Sequence, residues 1–289
     1  MGQVSKSTKL PTEVLEVETR SARARKIDPL VLDARNVDVF DGEDFNEAVA
    51  GDDVLTDDGL DENGSGVDAR DTVPYILQNL RAVYGTPKPT TGLDPLDVLI
   101  ETILSQSTTN ANSDRAFENL KKRFPTWDHA RRARVSSIEA AIRSGGLAKQ
   151  KSIRIRALLN EIYDRRGSLD LSFLKTAPIE EAKEFLGSFK GVGPKTVACA
   201  LLFAYQRPVF PIDTHIFRIA RRLGLIPMKR SDEDAHRLME QLIPKRRYYE
   251  AHINLIRLGR RICKPREPLC EQCCLIDYCE YYQELAVAG

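Results

Sequence analysis

Phe189-Lys190-Gly191-Val192-Gly193-Pro194-Lys195-Thr196 decides the reading of this chain, together with Pro211-Ile212-Asp213-Thr214-His215 further on. Ile179 to Leu186 reads as a helix, and the segment after it is too short and too glycine-rich to be anything but a turn. Pro194 suits the first position of a new helix, where its missing N–H costs nothing. Two helices joined in this way leave the N–H groups of Gly191 and Gly193 at a helix amino end, where they can hold a phosphate without reading bases. Glycine also lets the phosphate come close, since no Cβ intervenes. A Gly-X-Gly turn alone fits plain helix packing better. Lys190 and Lys195 beside it shift the balance towards nucleic acid.

Lys195 falls in the first turn of the second helix, at the positive end of a macrodipole and beside the apolar run Val197 to Tyr205. Both features favour a neutral, nucleophilic amine. Asp213 opens the next helix, and a carboxylate there can orient the amine, take its proton and stabilise positive charge developing on a sugar. A lysine and an aspartate eighteen residues apart are ordinarily a surface pair. Directly behind a phosphate-binding turn they read as covalent chemistry on a nucleic acid. His215 and His252 read as helix-interior or surface histidines.

The 289 residues leave room for two domains, and 42% hydrophobic with 29% charged residues is ordinary globular composition. No apolar run approaches the ~20 residues that span a bilayer, and the amino terminus has no signal-peptide core, so an intracellular protein with no membrane partner is expected. Met1-Gly2 does not complete a myristoylation motif, because Lys6 stands where Ser or Thr is needed. The whole-chain charge of +1 hides an asymmetry. Between Asp33 and Asp71 fourteen acidic residues meet two basic ones, a net −12, while residues 1–32 carry +2 and residues 72–289 carry +11. A basic body with an acidic arm fits a polyanion-binding domain preceded by a disordered segment over residues 1–70; shielding a basic groove, recruiting a partner and no role at all stay open for the arm. Order is expected from Asp71-Thr72-Val73-Pro74, a helix start. Beyond it apolar residues recur at helical spacing: Leu96, Leu99, Ile100, Ile103 and Leu104 form one stripe, and Ile153, Ala157, Leu158 and Ile162 another. The ordered part reads as all-α, punctuated at Gly145-Gly146, Gly167-Ser168 and Gly224.

Five of six cysteines crowd into residues 263–279, which argues for metal before disulfides. Cys263, Cys270, Cys273 and Cys279 follow C-x6-C-x2-C-x5-C. Four thiolates so spaced can wrap a [4Fe–4S] cluster or, less naturally, hold zinc, whose sites favour two separate C-x2-C pairs. Cys274 adjoins a ligand and is left out; Cys199 reads as a core residue. Arg260, Arg261, Lys264 and Arg266 flank the first ligand and suit a loop lying on a DNA backbone.

Together these segments resemble the endonuclease III branch of the helix-hairpin-helix base-excision glycosylase superfamily, over about residues 72 to 285. Ile103-Leu104-Ser105-Gln106-Ser107-Thr108 is similar to that family's glutamine segment, Gly145-Gly146-Leu147 with Lys151 to its middle turn, and Phe210 to Arg218 is closest of all. The cysteine spacing coincides with its cluster loop. The resemblance implies a two-lobed all-α fold: a helical barrel over 95–207 ending in the hairpin, and an iron–sulfur cluster domain from 71–94 and 208–289. It implies that Lys195 is a Schiff-base nucleophile attacking C1′, that Asp213 is the essential carboxylate, and that Gln106 fills the hole left by a flipped nucleotide. Lys190, Gly191, Gly193 and Lys151 would meet DNA. Cys263, Cys270, Cys273 and Cys279 would hold a [4Fe–4S] cluster. The implied protein is a monomeric bifunctional glycosylase and AP lyase, acting on double-stranded DNA with an oxidised pyrimidine or an abasic site, in a nucleoid, nucleus or organelle. Phe189-Lys190 departs from the family's usual Leu-Pro, and Thr109 stands where Asp often follows the glutamine segment. Glu101 lies near where the adenine-removing branch keeps its acid, but that branch lacks a hairpin lysine, so Glu101 reads first as a solvated residue. Three other readings stay open: a monofunctional mismatch or adenine glycosylase, a non-catalytic DNA-binding module, and a zinc-stabilised scaffold.

Overall fold

Asp94 starts the helix that anchors the molecule: its carboxylate accepts from Leu96 N at 2.8 Å, and Pro95 occupies the first position. This helix, α2 (Pro95–Ser105), buries Leu96, Leu99, Ile100, Ile103 and Leu104 completely, as the stripe predicts. The computed structural model describes residues 69–90, 92–227 and 231–288. Among these residues there are α-helices and short 3-10 turns and no strand, so the all-α expectation holds. The acidic arm over residues 1–68 lies outside the described residues.

Before α2 comes α1 (Ala69–Tyr84), beginning just ahead of the expected start; after it follow α3 (Asn110–Arg123), α4 (Trp127–Arg132), α5 (Val135–Ala141) and α6 (Ala148–Arg166). The hairpin is α7 (Ile179–Gly187) and α8 (Pro194–Tyr205), followed by α9 (Thr214–Arg222), α10 (Asp232–Leu242), α11 (Tyr248–Arg261) and α12 (Glu280–Ala288). One expectation fails on α6. Ile153 is 51% exposed and Ala157 is also exposed, whereas Ile155, Leu158, Leu159 and Ile162 are buried. Both rows satisfy helical spacing. The packed row is the one that also turns Lys151 inward, where backbone carbonyls receive it.

Two apolar clusters form. The first gathers α2 to α8, from Leu96 to Val209. The second joins Val73, Ile76, Leu77 and Leu80 of α1 to α9, α10, α11 and Leu275. Between them lies a small seam of Val98, Cys199, Phe203, Ala204 and Ile253, so α8 packs on α2 with one face and meets α11 with the other. Arg81 of α1 closes the second cluster by donating to both carboxylate oxygens of Glu250 on α11, at 2.8 and 2.6 Å. No helix among the described residues is long and apolar enough to cross a membrane.

Candidate active site

The hairpin turn takes its shape from one left-handed glycine. Gly191 has φ 84°, Val192 N donates to Phe189 O at 3.0 Å, and Phe189 and Val192 are buried beneath the turn. Lys190, Gly191, Gly193 and Pro194 are exposed. Among the described residues, Gly191 N and Gly193 N meet no backbone acceptor. Pro194 opens α8 and Lys195 follows, half-buried. The turn therefore presents donors, a lysine and a helix amino end on one surface, a combination suited to phosphate.

Asp213 caps α9, its Oδ1 accepting from Ile216 N at 2.8 Å. It is half-buried, and it shares with Lys195 the same neighbours beneath: the charges of both residues act on the Cys199 thiol and the His252 imidazole. Burial pushes Cys199 up to about 11 and His252 down to about 4. His252 Nδ1 lies 2.9 Å from Pro211 O, and its ring rests edge-on against Phe203 and Phe210. A carbonyl only accepts, so Nδ1 carries the hydrogen and the ring is neutral at physiological pH. His215, half-buried, is likewise held down by burial, and its Nδ1 accepts from Arg218 Nη2 at 3.1 Å. His252 is therefore no acid at physiological pH.

The glutamine segment and the middle turn come to this same face. Gln106 ends α2, Ser107 turns with φ 53°, and a Cβ added at Gly146 would stand 3.7 Å from Ser107 O and 3.8 Å from Thr108 Oγ1. Leu147 beside it has φ 45° and is 52% exposed. Lys151 corrects the sequence reading. It is 2% exposed, with Nζ donating to Leu104 O at 2.6 Å and Gly145 O at 2.7 Å, so it ties the end of α2 to the middle turn and offers no surface charge to DNA. Burial, aided by Arg154, pushes its amine down to about 8. Arg154 was not singled out by the sequence, yet it reaches Gln106 across the rim. Its spacing of three from Lys151, placing both on one side of α6, is the only sequence signal that points to it.

Glu101 stands apart from the pair. Its side chain meets solvent on one side, but the surrounding protein strips enough water, with Asp97 and Asp114 adding repulsion, to push it up to about 7 against the pull of Lys121. The charges that act on it all belong to α2 and α3.

The cysteine loop is gripped by the helix that Asp213 caps. Arg218 donates to Cys263 O at 2.8 Å and Gly259 O at 3.0 Å, and Arg222 donates to Cys263 Sγ at 3.2 Å and Lys264 O at 2.8 Å. Cys263 acts electrostatically on Cys270, Cys273 and Cys279, so the four thiols gather. Cys274 acts electrostatically on Cys273. Among the described residues no three His, Cys, Asp or Glu side chains converge as a single ion requires. Four cysteine thiols are donors of the kind that a cluster or a zinc ion takes.

A glycine turn, a lysine at a helix amino end and a capping aspartate on one face, backed by a four-cysteine loop, define a helix-hairpin-helix protein of the nucleic-acid class. The chain belongs to the HhH-GPD superfamily of base excision DNA repair proteins, whose model matches residues 100–245. A provisionally named DNA glycosylase of Arabidopsis thaliana is 44% identical over 168 residues, 58% of this chain and 57% of its own length. Endonuclease III of Thermotoga maritima is 31% identical over 190 residues, 66% of this chain and 84% of its own. Among solved structures, a trapped covalent endonuclease III–DNA intermediate has the same fold, with a TM-score of 0.65 at 23% identity over 75% of this chain and 98% of that one.

Proposed function

We propose that the protein is a DNA glycosylase with AP lyase activity that removes damaged bases, oxidised pyrimidines among them, through a Schiff base on Lys195. The observation that carries this reading is the hairpin lysine, set on the first turn of α8 with Asp213 acting on the same buried Cys199 and His252. Gly191, Gly193 and Lys190 hold the phosphate of the lesion strand, and Gln106 enters the space of the extruded nucleotide. The Lys195 amine attacks C1′, the glycosidic electrons leave with the base, which takes up a proton, and Asp213 stabilises the positive charge on the sugar. The nitrogen then gives up a proton and the C1′–O4′ bond opens with O4′ protonated, leaving the imine at C1′. The imine then lets the C2′ proton depart, and β-elimination breaks the C3′–O bond on the 3′ side. Hydrolysis returns the lysine. The trapped covalent endonuclease III–DNA intermediate, whose fold this chain shares, supports a covalent step.

The two apolar clusters support a division into a barrel over 95–207 and a second lobe from 71–94 and 208–289. Cys263, Cys270, Cys273 and Cys279 would hold a [4Fe–4S] cluster, which when bound cross-links the loop and supplies electron-transfer capacity that base excision does not use. The protein acts as a monomer on double-stranded DNA.

Borohydride reduction on a duplex with one thymine glycol and on an abasic duplex tests the proposal, with Lys195→Gln as control. Adducts on both that vanish in the variant are expected. Base release without any adduct would establish the monofunctional reading instead, and DNA binding with no release would establish a binding module.

A further inference from the structure

Phe210-Pro211-Ile212, the segment that leads into Asp213, is buried and belongs to no helix. Buried backbone outside a helix still needs partners for its N–H and C=O groups. Side chains of α10 and α11 supply them. Glu240 of α10 accepts from Phe210 N at 2.9 Å, and His236, one turn earlier on the same helix, places Nδ1 3.0 Å from Phe210 O. His252 of α11 places Nδ1 2.9 Å from Pro211 O. A carbonyl only accepts, so both histidines donate. Pro211 and Ile212 alone separate this clamp from Asp213.

Glu240 also reaches across to the hairpin. Its Oε1 takes Phe210 N, while its Oε2 takes Lys183 Nζ at 3.3 Å. Lys183 lies on α7, the first helix of the hairpin, and Lys195 lies on the second. The side chains of Lys183 and Glu240 are 29% and 23% exposed, so the pair is partly shielded from bulk water and salt. The Glu240 backbone is fixed as well: Tyr248 Oη donates to Glu240 O at 2.6 Å, and the Tyr248 ring meets Phe210 edge-on at 5.3 Å. The two oxygens of one held carboxylate thus go to the two walls of the site, one to the approach to Asp213 and one to the hairpin.

We propose that Glu240 is the positioning residue that sets Asp213 against Lys195, one carboxylate oxygen fixing the backbone that leads to the aspartate and the other tying it to the hairpin that carries the lysine. This rests on the reading of Lys195 as the nucleophile and Asp213 as the carboxylate beside the sugar. Glu240 acts through distance. The amine has to reach C1′ while the carboxylate stands beside the charge that develops as the base leaves, and a misplacement of about 1 Å in such a pair costs up to about a hundredfold in rate.

Two single-turnover rates of the full-length protein separate positioning from a merely structural role: release of thymine glycol from a duplex, and borohydride trapping on an abasic duplex. Base release needs Asp213 beside the developing charge, whereas an abasic aldehyde meets the lysine with no base left to expel. Glu240→Ala unpairs Phe210 N and cuts the link to Lys183. It is expected to slow base release at least about tenfold and to leave trapping within about threefold of wild type. Glu240→Gln keeps an acceptor for Phe210 N and loses the charge facing Lys183, and Lys183→Met loses the same link from the other side. Each is expected to slow base release about threefold, and the double variant no more than either alone. A loss of folded protein would lower both rates alike. A smaller loss of base release in Glu240→Ala, a loss of trapping as large as that of base release, or effects of Glu240→Gln and Lys183→Met that multiply in the double variant overturns the proposal. A wild type that forms no adduct or releases no base overturns the underlying reading of Lys195 and Asp213, and this proposal with it.

Discussion

Replacing Lys151 with methionine separates the cost of a buried charge from the worth of the bonds it makes. The side chain is 2% exposed and satisfies Leu104 O, at the last turn of α2, and Gly145 O. Leaving two buried carbonyls unpaired costs about 1–3 kcal/mol each, about 4 kcal/mol together. Against this, the folded protein holds the amine at about 8 instead of its ordinary 10.5, so keeping it protonated in the fold costs about 3 kcal/mol. A neutral amine still has two N–H donors and keeps both bonds. Between pH 8 and 10.5 the unfolded chain binds more protons at this residue than the folded one, so wild-type stability rises with pH across that window. The penalty of Lys151→Met is therefore about 1 kcal/mol at pH 7 and about 4 kcal/mol at pH 10.5. Urea unfolding of both proteins at the two pH values measures it. An equal penalty at both, or a variant as stable as wild type at pH 10.5, would refute the reasoning.

Glu250 accepts from Arg81 and from Arg247 at 2.8 Å, and although burial works to raise its carboxyl, the two guanidiniums hold it below its usual range. A depressed folded value gives stability that is present above pH 4.5 and fades as the carboxylate protonates in the fold; Glu250→Gln should cost about 2–3 kcal/mol at pH 7, less than a fully buried pair because Arg81 is half exposed, and far less near pH 3 in the same urea assay. Asp213→Asn keeps a capping oxygen for Ile216 N and should unfold within about 0.5 kcal/mol of wild type while base release falls by two orders of magnitude or more; Asp213→Ala should lose a further ~1 kcal/mol of stability with the cap. Metal analysis of anaerobically purified protein should find iron with equal acid-labile sulfide, lost together in Cys273→Ser; zinc without sulfide would establish the scaffold reading.

The frame was legible because its signals are local. Pro194 opens α8, Asp213 caps α9, and each of these helix starts follows from one or two residues. Lys195 and Asp213 were legible for the same reason: each sits at a helix amino end. Orientation about a helix axis was not. On α6 the rows through Ile153 and Ile155 fit the same period, and only packing against α2 chooses between them, which is also why the sequence places Lys151 at the DNA while the fold buries it. Arg154 escaped for a related reason. Its partners, Gln106 and Gly191, lie 48 and 37 positions away, and nothing in a basic helix marks the one arginine that spans them.

The central claim is that Lys195, and no neighbouring amine, carries the covalent chemistry. Reducing the wild-type protein with borohydride on an abasic duplex, digesting the adduct and sequencing the modified peptide by mass spectrometry tests it most directly. A deoxyribose remnant on Lys195 is the predicted result. The same remnant on Lys190, a few residues away on the exposed turn, or an adduct undiminished in Lys195→Gln, would contradict the account.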